Sequence, residues 1–190
     1  FTTATLVNGT TYAFKAVASD SAGNSTASAT HSVTVDTTAP AAPTITSVTD
    51  NVAPVEGNVA SGGATNDTVL VLAGTTELGT TVEIFNGSIK IGDATVTDTG
   101  WTFTTATLVN GTTYAFKAVA SDAAGNRSTD SATQSVTVDT TPPAAPTIAS
   151  VTDNIAPVEG TIASGGSTND TVLVLAGTTD AGTTVEIFNG

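Results

Sequence analysis

Apolar and polar residues alternate over short runs along the whole chain, and clusters of Gly, Asn, Asp, Ser and Pro separate the runs. Alternation with period two predicts strands with one buried face, and no stretch longer than a few residues keeps the i, i+3, i+4 spacing of a helix. Between 39 and 141 seven runs can be read: 43–48 with Ile45 and Val48 facing inward, 68–74 (TVLVLAG), 81–85, 89–97, 101–105, 113–121 and 133–138. Asn86-Gly87 predicts a tight hairpin after the third run, because both residues tolerate positive φ. Asp98-Thr99-Gly100 predicts the next reversal. The stretch 50–66 is polar and glycine-bearing, and is expected to be a long connection without strands of its own. Seven short strands with frequent turn signals predict an all-β, Greek-key sandwich of the immunoglobulin type.

The pattern repeats. Residues 1–24 recur at 103–126 with one change, Ser21 to Ala123, and residues 37–87 recur at 140–190 with eight changes in 51 positions. The offset moves from 102 to 103 between the two blocks, because Arg127 has no counterpart in the first copy. A period of this length is that of an ordinary domain rather than of a small solenoid repeat. The Pro-rich stretches DTTAPAAP (36–43) and DTTPPAAP (139–146) read as connectors, since Pro fixes φ and cannot donate to a strand ladder. The expected organisation is tandem sandwiches: the C-terminal part of one unit at 1–38, a complete unit at 39–141, and the N-terminal part of a third at 142–190. With no initiator Met and no charged-then-apolar leader, the chain reads as internal to something longer.

Leu108, Gly111 and Tyr114 stand three apart, and from Tyr114 onward Phe116, Ala118 and Ala120 share one face while Lys117 takes the other. This spacing predicts a tyrosine corner, in which the phenol bonds back to the upstream backbone and pins the crossover into the sixth strand. Leu6, Gly9 and Tyr12 repeat it. Trp101 and Phe103, two apart on one strand, share a face and are expected to be core rather than a sugar-stacking platform.

Composition narrows the function classes. Thr, which suits a pleated sheet, makes up roughly a fifth of the residues. Only 11% are charged, 17 acidic against 4 basic, for a net charge of −13. That balance lacks the basic footprint of a nucleic-acid or anionic-membrane partner. With no Cys there is neither a disulfide framework nor a thiolate metal site. No apolar stretch approaches the roughly 20 residues needed to span a bilayer as a helix, so membrane insertion is not expected. The single His, His31, is replaced by Gln134 in the next copy, and Gly62-Gly63 does not open a helix as a phosphate loop would. No catalytic site and no enzymatic activity are expected.

VDTTAPAAP, SVTDN, GG-x-TND, a strand ending in AGT, TVEIFNG, GW-x-F, L-x-NGTTY and SDAAGN together span all 190 residues. In this combination the chain resembles the bacterial immunoglobulin-like repeats of giant secreted adhesins and biofilm-associated proteins. It departs at 68–75, where TVLVLAGT stands in place of a Pro-containing run. The resemblance implies strings of sandwiches on the bacterial cell surface, exported by a type I secretion system, with calcium stiffening the joints between neighbouring repeats of the same chain.

Alternating strand direction sorts the oxygen-bearing residues to two poles. Where the first strand starts, the topology gathers Glu77, Asp98, Asp122 and Asn126; the opposite end collects Asp50, Asn51, Asn66, Asp67, Asn110 and Asp139. Calcium, a hard cation taking six to eight oxygens, suits a junction of two such poles. The competing account is that Asp, Asn and Gly simply favour turns. The candidate calcium ligands are Asp36 and Asp139 at the connectors, Asp50 with Asp67, their copies Asp153 with Asp170, and Asp122; Glu77, its counterpart Asp180, Asp98 and Asn126 are weaker candidates. The expected function is that of structural spacer repeats in a surface adhesin. Glycan or host-surface binding by a loop pole, and an accessory domain of a polysaccharide-active enzyme, are the alternatives; the adhesive target itself is not legible.

Overall fold

A computed structural model describes residues 1–189, and the chain divides into two compact units, Phe1–Thr140 and Thr141–Gly190. Among the described residues all regular structure is β-strand.

The first unit begins with a bent ladder. Strands β1 (Thr11–Phe14) and β2 (Val17–Ser19) run out, and β3 (Ser25–Ala27) and β4 (His31–Thr34) return, with β1 paired to β4 and β2 to β3. Nearly all of this ladder is exposed.

The sandwich follows. Its strands are β5 (Thr44–Asp50), β6 (Gly57–Asn58), β7 (Gly63–Thr65), β8 (Val71–Thr75), β9 (Thr81–Asn86), β10 (Ile89–Asp93), β11 (Thr95–Thr97), β12 (Gly100–Thr104), β13 (Thr113–Ser121) and β14 (Gln134–Val138). They form two five-stranded sheets, ordered β10-β9-β13-β14-β7 and β11-β12-β8-β5-β6. Pairing is antiparallel except between β14 and β7. Inward-facing residues of both sheets meet in one core containing Val48, Leu70, Leu72, Ile84, Trp101, Phe116 and Val136, edged by Ile45, Val96, Phe103 and Tyr114. Trp101 is 2% exposed, and its indole N–H donates to the Thr75 carbonyl at 3.2 Å, so the ring is spent on packing.

The structure corrects the strand reading in three places. The run 89–97 is two strands on opposite sheets, β10 on β9 and β11 on β12, which change over at Ala94. A bulge between Lys90 and Gly92 bends the backbone there, and the Phe103 ring lies where a Cβ on Gly92 would sit, 2.6 Å away. The 50–66 connection contains β6 and β7, too short and glycine-rich to show an alternation; β7 reaches across to pair with β14. The run 68–74 starts its ladder only at Val71, because Leu70 N–H is taken by Thr105 Oγ1. Gly74 is where the indole settles: a Cβ there would stand 1.8 Å from Thr44 O and 2.5 Å from Trp101 Cζ2.

The second unit has β15 (Thr147–Asp153), β16 (Gly160–Thr161) and β17 (Val174–Thr178) in the order β16-β15-β17. Residues 184–189, whose counterparts form β9, are not in a strand.

Candidate functional site

The tyrosine corner forms in both copies: Val109 N–H donates to Tyr114 Oη at 2.8 Å and Val7 N–H to Tyr12 Oη at 2.9 Å. It fixes the crossover into β13 and with it the loops of both poles.

At the pole where β5 ends, Asp50 and Asp67 are both buried and share one hydroxyl. Thr65 Oγ1–H donates to Asp50 Oδ2 at 2.6 Å and accepts from Asp67 N–H at 3.0 Å. The remaining carboxylate oxygens take backbone donors: Val52 N–H to Asp50 Oδ1 at 2.8 Å, Val69 N–H to Asp67 Oδ1 at 2.7 Å and Asn51 N–H to Asp67 Oδ2 at 3.1 Å. These are charge-assisted bonds that tie the turns after Asp50 and Asp67 to the end of β7. Asp139 joins through its backbone, its N–H donating to Thr65 O at 2.8 Å, while its side chain is exposed. In the second unit Asp153, Thr168 and Asp170 reproduce the arrangement, with Thr168 Oγ1–H to Asp153 Oδ2 at 2.6 Å and Asn154 N–H to Asp170 Oδ2 at 3.1 Å.

The opposite pole is organised by Asp122. Ala124 N–H and Asn126 N–H both donate to its Oδ1 at 2.9 Å, and Asn126 Nδ2–H donates to Oδ2 at 2.8 Å. The Asn126 amide, ahead of the backbone donors, holds this carboxyl below its ordinary value of 3.8, against a smaller opposing effect of desolvation. Asp20 in the first copy is lowered in the same way, chiefly by Asn24. The amide of Asn126 also donates to the Asp36 carbonyl at 3.2 Å, so the connector from the preceding repeat is bonded to this loop. Asp36 Oδ1 caps the connector by accepting from Thr38 N–H at 2.9 Å. The loops of Glu77 and Asp98 meet through Thr76 N–H and Thr99 O at 2.8 Å, and Asp98 holds φ at 55° in its turn. Both side chains are exposed. Asp180 Oδ2 accepts from Ala144 N–H at 2.8 Å, within its own repeat.

The fold thus brings together Asp50 with Asp67 and Asp153 with Asp170, sets the backbone of Asp36 against the Asn126 amide that also bonds Asp122, and leaves Glu77, Asp98 and Asp180 single. Among the described residues no three carboxylate or imidazole side chains converge on one point. The donor sets are all oxygen, which suits calcium in kind. In number they fall short of a closed cage within one repeat, and Asp36, Asp50, Asp67, Asp122, Asp153 and Asp170 each already cap a turn. At the Asp36 and Asp122 joint the Asn126 amide bonds both the backbone carbonyl of Asp36 and the carboxylate of Asp122.

An ion-pair network on the outer face of the β9 sheet escapes sequence reading. Lys90 Nζ bridges Glu83 and Asp93 at 2.7 Å each, Arg127 pairs with the second oxygen of Glu83, and Lys117 reaches Asp130 at 3.1 Å. Lys90 and then Arg127 hold Glu83 below its ordinary value; Asp93 and then Glu83 hold Lys90 above its own. One signal was available: Arg127 is the inserted residue. A shallow groove of about 660 Å³ beside Asp93 and Asp98 is lined by Leu78, Val82 and Val96, with no aromatic ring.

Two facing sheets, a strand pair that divides the first edge between both sheets, and a tyrosine corner define an immunoglobulin-like β-sandwich. The family model described as bacterial Ig-like domain matches residues 43–140, and the chain belongs to that family. A search of curated proteins returned no match. Among the described residues no helix is long and apolar enough to cross a membrane.

Proposed function

We propose that the chain is a stretch of spacer repeats from a large bacterial surface adhesin of the kind that builds biofilms, exported by type I secretion and set end to end outside the cell. The observation that carries this reading is the placing of the connectors. The incoming one is bonded at Asp36 to the Asn126 loop, and the outgoing one starts at Asp139 on the opposite pole, beside Thr65. A unit entered at one pole and left at the other contacts only its neighbours, so near-identical copies extend reach without redesign. The buried Trp101 and the groove without aromatic rings favour a spacer over a glycan-binding module. Catalysis has no role in this reading.

Calcium is the structural ion we propose for the joints. It would bind where the connector carrying Asp36 meets the Asp122–Asn126 loop, taking the Asp36 carbonyl and the Asp122 carboxylate among its oxygens and restricting the connector's swing. Thermal melts and small-angle scattering in calcium and in chelator test it. Calcium is expected to raise the melting temperature and lengthen the particle, and Asp122→Asn to remove both effects. Identical curves in the two conditions would eliminate calcium stiffening while leaving the spacer reading intact; binding to a glycan array would replace the spacer reading itself.

A further inference from the structure

We infer that Asn110-Gly111 is a self-modification site that the outgoing connector keeps closed. When residues 138–140 lift from the corner loop, Asn110 converts to an aspartyl or isoaspartyl residue, and the isoaspartyl form keeps the connector from seating again. Among the described residues Asn is followed by Gly three times, at 8–9, 86–87 and 110–111. Such a pair carries its own reaction. Gly has no side chain to shield its nitrogen or to restrict its backbone, so that nitrogen can reach the preceding Asn Cγ. The N–Cγ bond forms, the carbon–nitrogen bond of the side-chain amide breaks, and ammonia leaves with the proton that the Gly nitrogen gives up. Water then opens the cyclic imide at one of its two carbonyls, leaving aspartate or, with Cβ drawn into the main chain, isoaspartate. The chain and water are the only reactants.

Native bonds hold both reacting groups. Gly111 N–H donates to Val138 O at 2.8 Å, and Asn110 Oδ1 accepts from Thr140 N–H at 2.8 Å. The nitrogen must leave its acceptor and the side chain must turn back on its own backbone before the attack, so both bonds break first. Their partners are the last residue of β14 and the connector that follows it. The first copy has the same clasp, with Gly9 N–H donating to Val35 O at 2.8 Å and Asn8 Oδ1 accepting from Thr37 N–H at 2.8 Å. Asn86-Gly87 is held by an equivalent pair of bonds but from a different element: Gly87 N–H donates to Ala115 O at 2.8 Å, and Asn86 Oδ1 accepts from Ala115 N–H at 2.9 Å. Ala115 lies in β13 opposite Ser135 of β14, so freeing Asn86 means opening the sheet. Freeing Asn110 needs only a strand end to fray, and strand ends open at lower cost than central strands. Asn110 is exposed, so water reaches the imide. Isoaspartate lengthens the main chain between Val109, whose N–H is bonded to Tyr114 Oη, and Gly111, and the clasp on Val138 and Thr140 loses its register.

Peptide mass mapping of the full chain after incubation at mildly alkaline pH, with and without urea, tests this through the mass gained when an amide becomes an acid. In urea, Asn86 and Asn110 are expected to convert at similar rates. Without urea, Asn110 should convert about tenfold more slowly than in urea, and Asn86 about tenfold more slowly again, following the order of their opening costs. Thr140→Pro removes the N–H that Asn110 Oδ1 accepts. It should raise conversion at Asn110 severalfold while Asn86 keeps its wild-type rate. In chains carrying isoaspartate at 110, the Thr140 amide should exchange hydrogen faster than in unconverted chains. Equal rates at Asn110 with and without urea, equal protection of Asn110 and Asn86, an Asn110 rate unmoved by Thr140→Pro, or unchanged exchange at Thr140 after conversion would each overturn the inference. Should the variant fail to fold, seen as lost protection at Asn86, the wild-type rates at Asn110 and Asn86 decide alone.

Discussion

The nine residues TYAFKAVAS occur twice and fold differently. At 11–19 they make two short strands, β1 and β2, exposed almost throughout; at 113–121 they make the single nine-residue strand β13, with Phe116, Ala118, Val119 and Ala120 buried. VLAGT behaves in the same way, half buried in β8 and wholly exposed in β17. Since the sequences are identical, the difference is entirely one of partners: β9 is present on the second flank of β13 and absent from β1 and β2. Continuity of a strand and burial of its face are non-local properties here, supplied by segments far away in the chain.

Other features do not change between copies. The tyrosine corner keeps its bond in 1–35 as in the complete repeat. The Asp50–Thr65–Asp67 arrangement recurs with matching distances in the second unit, whose described residues form the sheet β16-β15-β17. Their donors and acceptors lie within about one loop of each other, so they form wherever the local sequence is present.

Substituting the same residue in both copies separates the two kinds of feature. The largest difference is expected at the aromatic ring: Phe116→Ala should lower the unfolding free energy of the complete repeat by about 3–5 kcal/mol, the usual loss for emptying a core phenylalanine site. Phe14→Ala, read by the same denaturant titration of dilute protein, should cost less than about 0.5 kcal/mol, as for a surface change. Equal losses would break the comparison.

Asp50→Asn and Asp153→Asn should instead act alike. Each removes a charge-assisted bond, worth about 1.5–3 kcal/mol, and the loss should appear as faster hydrogen exchange at the amides of Val52 and Ile155. A response at Val52 alone would mean that the arrangement needs the complete sandwich.

The smallest effect is electrostatic, and it too should be shared. The Asp122 and Asp20 carboxyls are depressed below their ordinary value of 3.8 by the Asn126 and Asn24 amides. A lowered folded-state value means that the charged form stabilises each loop at pH above the ordinary value, and that the contribution is lost as pH falls below it. Carboxyl titrations followed by NMR should find both midpoints low; a normal midpoint at Asp20 alone would show that its loop needs the rest of the repeat.

Much of the architecture was legible before the structure. Period-two alternation located the strands that bury one face, the Leu108, Gly111 and Tyr114 spacing gave the corner, and strand direction put Asp122 and Asp50 at opposite poles. The split of 89–97 between two sheets was not legible, because a bulge leaves no mark on alternation. Nor was the pairing of β7 with β14, in which the three small residues Gly63, Ala64 and Thr65 find a parallel partner more than 70 positions away. At the poles, the acids were found by composition and topology, but their use was not. Turn-capping and metal binding call for the same residues, and only the backbone N–H groups aimed at Asp50, Asp67 and Asp122 show how far the first need is met.

By itself the sequence determined what depends on neighbours within a loop or a strand: the all-β class, the repeat, the corner and the capped acidic turns. Tertiary structure decided which copies of identical strands are buried and continuous, where one run changes sheets, and which acids meet. Those outcomes rest on contacts between distant segments, and the same nine residues settle into one strand or two according to whether such a partner lies alongside.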